Sequence, residues 1–216
     1  HWVERKTFHT QTIMRRGVHE QMLQRIRLNI VVSIVYFVGG QIGLSLHGPS
    51  TGAPLVWLPT GIAVAALINY GYKTLPGIAL GAFAVVISQS PPTHMLSLTL
   101  GIPLQIIAGP LQAFIAVWLL RKSGVEDSPL DSLINLTKFL FICAGFSTVF
   151  SATPGVAALL INGFTQADNI FFAWLNWWFA DALGVLVAAP LALSIVRFKS
   201  FVPTIKEEFE FVALYV

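Results

Sequence analysis

AWLNWWFADALG, residues 173–184, holds three tryptophans and one aspartate inside an apolar run that extends from about Ile170 to Val196. A membrane-spanning helix needs about 20 apolar residues. The run is long enough to be one, so Asp181 is an ionisable group placed at membrane depth. On insertion scales that costs about 2.5–3.5 kcal/mol, and such a residue faces the bundle interior or a wet cavity rather than lipid. At about 100° per residue, Trp174, Trp177, Trp178 and Asp181 fall within about 100° of arc and share one helix face. Two readings of that face stay open. It is either a small-molecule or cation pocket with aromatic walls, or a structural lock in which Asp181 accepts hydrogen bonds from an indole or a neighbouring helix. Ala180, Gly184 and Ala188 form a stripe of small residues beside it, which lets another helix approach closely.

Composition extends the same reading to the whole chain. Of 216 residues, 55% are hydrophobic and 11% charged, well below the roughly 25% charge of soluble domains. The expected class is an all-α polytopic transmembrane bundle. Apolar runs are read at about 28–46, 54–70, 75–89, 95–120, 133–161 and 170–196, giving about six crossings. The fifth run is overlong, with a break expected at SATPG, where Pro154 interrupts it. With the N-terminus in the cytoplasm, all 13 Lys and Arg fall on the cytoplasmic side, as the positive-inside rule requires. Residues 1–24 read as a basic cytoplasmic tail and residues 25–199 as the bundle. Residues 200–216 read as a charged linker followed by FVALYV, the start of a further span. The tail lacks signal-peptide character. It is a topology anchor near anionic lipid rather than a nucleic-acid arm.

The second run opens with VWLPTG, residues 56–61. Pro59 removes a backbone donor, Thr60 can bond the freed backbone, and Gly61 permits close approach. Irregular backbone at membrane depth survives only where protein buries it or where it lines a cavity. The alternative is a plain helix start at the outer interface. Gln105 and Gln112 lie roughly on one face of the fourth run, where interhelical hydrogen bonding accounts for most such residues. Gln112 also joins the candidate ligand contacts. A single cysteine, Cys143, excludes a disulfide framework. His47 and His94 alone make a poor metal site, and there is no GxSxG, HExxH or Walker motif. Catalysis by this chain is not expected, and no cofactor is indicated.

VWLPTGIAVAAL (56–67), LPGIALGAF (75–83), LQAFIAVWLLRK (111–122), FSATPGVAAL (150–159) and WLNWWFADALGVLVAAPLAL (174–193) together resemble the first membrane-associated sensor domain family (MASE, type one). The resemblance implies an integral membrane input module at the N-terminus of a bacterial signalling protein, in the cytoplasmic membrane, which would bind a small ligand or sense a membrane state. A diguanylate cyclase or histidine kinase would follow it as output domain, and a homodimer is compatible with that role. It implies about eight crossings, of which this chain would hold six and the start of a seventh. The family's Trp-Pro-Gly residues map to Trp57, Pro59 and Gly61, and its acidic position maps to Asp181. Gln112 stands where the family often has glutamate, so no paired carboxylate is implied. The candidate ligand set is therefore Asp181, Trp174, Trp177, Trp178, Trp57, Pro59, Gly61 and Gln112, with the ligand unidentified. Two other functions compete with a sensor. One is a six-helix transporter or substrate-capture component, which predicts matched broken helices in two halves. The other is a structural anchor.

Overall fold

Hydrocarbon offers no partner to backbone N–H and C=O groups, so an apolar chain satisfies them within its own helices. The computed structural model follows that rule. It describes residues 2–46, 54–89, 95–125 and 128–201, with side chains over 19–197. His47, His94 and the FVALYV segment lie outside those residues. The helices are α1 (Trp2–Ser45), α2 (Leu58–Tyr70), α3 (Leu75–Gln89), α4 (Ile102–Lys122), α5 (Leu133–Phe139), α6 (Val149–Ile161) and α7 (Ile170–Phe201). A π-helical turn, Ser97–Gly101, precedes α4, and a second, Leu140–Phe146, joins α5 towards α6. Four stretches are long and apolar enough to cross a membrane: His19–Ser45, Ser97–Lys122, Leu133–Ile161 and Ala167–Arg197. The molecule is an all-α membrane helix bundle.

The second run differs from its predicted extent. It becomes helical at Leu58 rather than near Pro54, because Pro59 belongs in a first helical turn, where its missing donor costs nothing. Residues 54–57 arrive as non-helical backbone with a bend at Leu55, and Leu55 N–H bonds the Leu46 carbonyl at 2.9 Å. The Thr60 hydroxyl donates to the Trp57 carbonyl at 2.6 Å, as its position in VWLPTG predicts. Gly71, with φ +77°, closes α2 in the left-handed conformation that glycine tolerates best.

The fifth run is continuous in sequence but broken in structure, and the break is not at Pro154. That proline lies inside α6. The discontinuity comes earlier, between the π-helical segment and Val149. There the hydroxyl groups of Ser147 and Thr148 turn back onto the carbonyls of Cys143, Ala144 and Gly145 at 2.7–2.9 Å.

Side-chain contacts set the direction of each run. The Asn29 carboxamide holds Lys73 C=O and Gly77 N–H, and Gln41 donates to Ser88, so α1 and α3 run parallel. Gly39 faces Ile62 and Gly43 faces Trp57, so α2 runs against α1. Lys138 reaches the Ser123 carbonyl at 2.7 Å, Gln112 reaches Ser147, and Gly101 abuts Asn162, so α5 and α6 run against α4. Trp174 meets Thr153 and Arg197 meets Asp131, so α7 returns antiparallel to α5 and α6. Successive runs therefore alternate in direction. Lys73, Arg121, Lys138 and Arg197 consequently gather at one end of the bundle. Inside, Val64, Leu67, Ile68, Val117, Leu120 and Val185 are buried, while Ile34, Phe83, Phe141 and Leu191 point outward.

Candidate functional site

α2 and α7 form the most extensive helix pair in the bundle, and the small-residue stripe explains it. A Cβ on Gly61 would strike the Gly184 carbonyl and Ala188, and one on Gly184 would strike the Trp57 carbonyl. The two backbones touch. At this crossing Trp57 N–H donates to the Ala180 carbonyl at 2.9 Å, and the Thr60 hydroxyl reaches the Asp181 carbonyl at 3.2 Å. The first turn of α2 is thus fastened to α7 level with Asp181. Sixteen residues separate Asp181 from Arg197 and eleven separate it from Ile170, roughly 24 and 17 Å of helix. Asp181 therefore sits near the middle of α7, displaced by about one turn towards the end opposite the basic cluster.

The Asp181 side chain is 1% exposed. Its Oδ2 accepts a hydrogen bond from the Ser151 hydroxyl of α6. Its Oδ1 has no donor among the described residues. The Trp177 indole also donates a hydrogen bond to the carboxyl, and its ring packs over Gly155, where a Cβ would come within 2.5 Å of it. From α1, the buried Tyr36 hydroxyl stands within electrostatic reach of Asp181 and accepts from the Trp57 indole. It also fills the space left beside Gly109 of α4. On α4, Gln112 is fully buried. Its Nε2 donates to Ser147 Oγ at 2.8 Å and approaches the Cys143 carbonyl at 3.4 Å, while its Oε1 has no donor among the described residues. Ser147 and Ser151 are one turn apart on one helix face, so they bring Gln112 and Asp181 to the same interior.

The structure divides the sequence-derived set. Asp181, Trp177, Gln112 and Trp57 converge. The other two indoles are occupied elsewhere: Trp174 donates to Thr153 at 3.2 Å, and Trp178 donates to the Gly145 carbonyl at 2.9 Å, holding the broken helix. Pro59 and Gly61 serve the helix start and the α2–α7 crossing. Ser151, Ser147 and Tyr36 complete the cluster and were not among the sequence candidates. Hydroxyl groups in apolar runs give no signal of their own. The four-residue spacing Cys143–Ser147–Ser151 is the pattern that could have found the two serines. Chemically, the interior offers acceptors in excess: a carboxyl oxygen and a carboxamide oxygen, with no basic side chain beside them.

No curated protein and no solved structure matches the chain. The MASE1 family model matches residues 28–201, which spans every helix that builds the site. The chain belongs to MASE1, a family of membrane-associated sensor domains.

Proposed function

We propose that this chain is the sensory input module of a bacterial signal-transduction protein, embedded in the cytoplasmic membrane by six crossings with its N-terminus inside. Its Asp181 cluster binds a small ligand. Binding biases the bundle between two arrangements and so moves the helix leading to a cytoplasmic output domain, a diguanylate cyclase or histidine kinase. A ligand achieves this only through different affinity for the two arrangements. The observation that carries the reading is Asp181 itself. A carboxyl retained inside a membrane bundle with one oxygen unsatisfied is costly for stability. A purely structural lock would have been built with both oxygens paired or with an apolar residue.

The test uses the full-length parent protein. Asp181→Asn keeps shape and removes the charge, and Asp181→Leu removes both. Output activity should change in both variants, more in Asp181→Leu, while insertion and thermal stability persist. Unchanged output from a folded Asp181→Leu protein would refute the reading.

A further inference from the structure

The donors around the cluster can be followed one by one. Ser151 gives its proton to Asp181 Oδ2, and Ser147 gives its own to the Cys143 carbonyl at 2.8 Å. Thr60 donates to the Trp57 carbonyl, Trp57 to Tyr36, Trp177 to the Asp181 carboxyl, Trp178 to the Gly145 carbonyl and Trp174 to Thr153. Gln112 Nε2 is engaged with Ser147. Against these stand two buried oxygens with no protein donor, Asp181 Oδ1 and Gln112 Oε1. They belong to different helices, α7 and α4, bridged by Ser151 of α6 and Ser147 in the turn before it. The basic side chains of Arg121, Lys138 and Arg197 make their contacts at the far end of the bundle, where Lys73 also lies in the turn beside Asn29. Aromatic surface is nearby in Trp177 and Tyr36.

We infer that the cluster takes a small organic cation carrying N–H donors, a primary or secondary ammonium, rather than an anion or an apolar ligand. The N⁺–H groups supply what Asp181 Oδ1 and Gln112 Oε1 demand. Charge-assisted bonds of this kind are the strong ones, and the aromatic faces favour a desolvated cation. An anion would meet a carboxyl and no basic partner. The inference deepens the sensory reading of the same site and rests on it for its physiological meaning, but binding is measured on this chain alone.

The experiment titrates the purified chain, in nanodiscs, with n-butylammonium and follows tryptophan fluorescence and heat of binding. n-Butanol supplies the same carbon chain without charge, and tetramethylammonium the charge without N–H donors. Saturable binding of n-butylammonium is expected, with both comparators weaker. Asp181→Asn should weaken it by about tenfold or more, since the charge-assisted bond is lost. Gln112→Leu should weaken it several-fold, and Lys122→Ala should leave it unchanged. Absence of saturable binding, equal binding of n-butanol, or full affinity in Asp181→Asn would each overturn the ammonium assignment. If Asp181→Asn does not fold, Gln112→Leu decides, and unchanged affinity there overturns it. The two readings fail separately. Binding without any change in output of the parent protein sinks the sensory role and keeps the site. Output that depends on Asp181 in a protein that ignores ammonium sinks the ligand class alone.

Discussion

Glycine positions show how tightly the site is enclosed. Gly61 and Gly184 meet backbone to backbone, so an added methyl has no flexible side chain to push aside. Gly61→Ala and Gly184→Ala should each destabilise the bundle by about 1–3 kcal/mol, the usual range for overpacking, read as a lowered melting temperature in detergent. Gly145→Ala is the control. Its added Cβ would meet the Leu140 carbonyl at 3.7 Å, an ordinary contact, so it should be neutral or mildly stabilising. At this scale the sequence was informative where residue type is rare for its setting. An aspartate in an apolar helix and a small-residue stripe announce themselves, and both stand where expected. The sharing of one face by Trp174, Trp177 and Trp178 was equally visible, but their separate destinations were not. Which donor an indole N–H finds depends on the neighbouring helix and its register, and neither is encoded locally. Tyr36 was invisible for the same reason, since its role depends on Trp57 and Gly109 arriving beside it.

The break between α5 and α6 is held by side chains rather than by secondary structure. Carbonyls at Cys143, Ala144 and Gly145 lose regular partners where the π-helical turn gives way to α6. They are covered by Ser147, Thr148, Gln112 and Trp178. Trp178→Phe keeps the ring and removes the donor, so it should cost about 1 kcal/mol, the net worth of a hydrogen bond. Thr148→Ser should cost less than Thr148→Ala, because serine retains the hydroxyl. Combining Trp178→Phe with Thr148→Ala should give a non-additive loss, since both serve the Gly145 carbonyl. Additive losses in chemical denaturation would show that the two donors act independently. The sequence placed the irregularity at Pro154, and physics explains the displacement. Proline frees only the carbonyl four residues before it, that of Phe150, and α6 carries this within a continuous helix; the break lies where Ser147 and Thr148 can cover the carbonyls of Cys143, Ala144 and Gly145.

Charge organises the molecule as a whole. Arg197, near the end of α7, grips Asp131 and Ser128 of the segment before α5. Hydrogen bonding from Arg197 holds the Asp131 carboxyl below its ordinary range. A depressed carboxyl contributes stability above its unfolded value, about 3.9, and loses it as pH falls through the lower folded value. Acidification below about pH 4 should therefore loosen this tie, and Asp131→Asn should abolish that step in a nuclear magnetic resonance titration of the Arg197 guanidinium. Exposed pairs of this kind add little to global stability, so the melting temperature should barely move.

The proposal of six crossings faces its hardest case in α2, whose 13 residues make only about 20 Å of helix. The hydrocarbon core is about 30 Å. The non-helical residues before it, 54–57, lengthen the path. Their polar backbone is not left to lipid: Leu55 N–H finds the Leu46 carbonyl and Trp57 N–H the Ala180 carbonyl. A re-entrant hairpin of α2 and α3 is the competing arrangement, and it would leave the Lys73 turn at membrane depth, with both helices opening to the side on which α1 ends. The parallel course of α1 and α3 instead places Lys73 beside Asn29, at the start of the α1 span. Single cysteines installed in a Cys143→Ala background and probed on intact cells with an impermeant maleimide decide between the two. Asp168→Cys should label from outside, whereas Lys73→Cys, Ser123→Cys and Ser200→Cys should label only after permeabilisation. Protection of Lys73→Cys both before and after permeabilisation would replace six crossings with four spans and a re-entrant pair. External labelling of Ser123→Cys would overturn the alternation altogether.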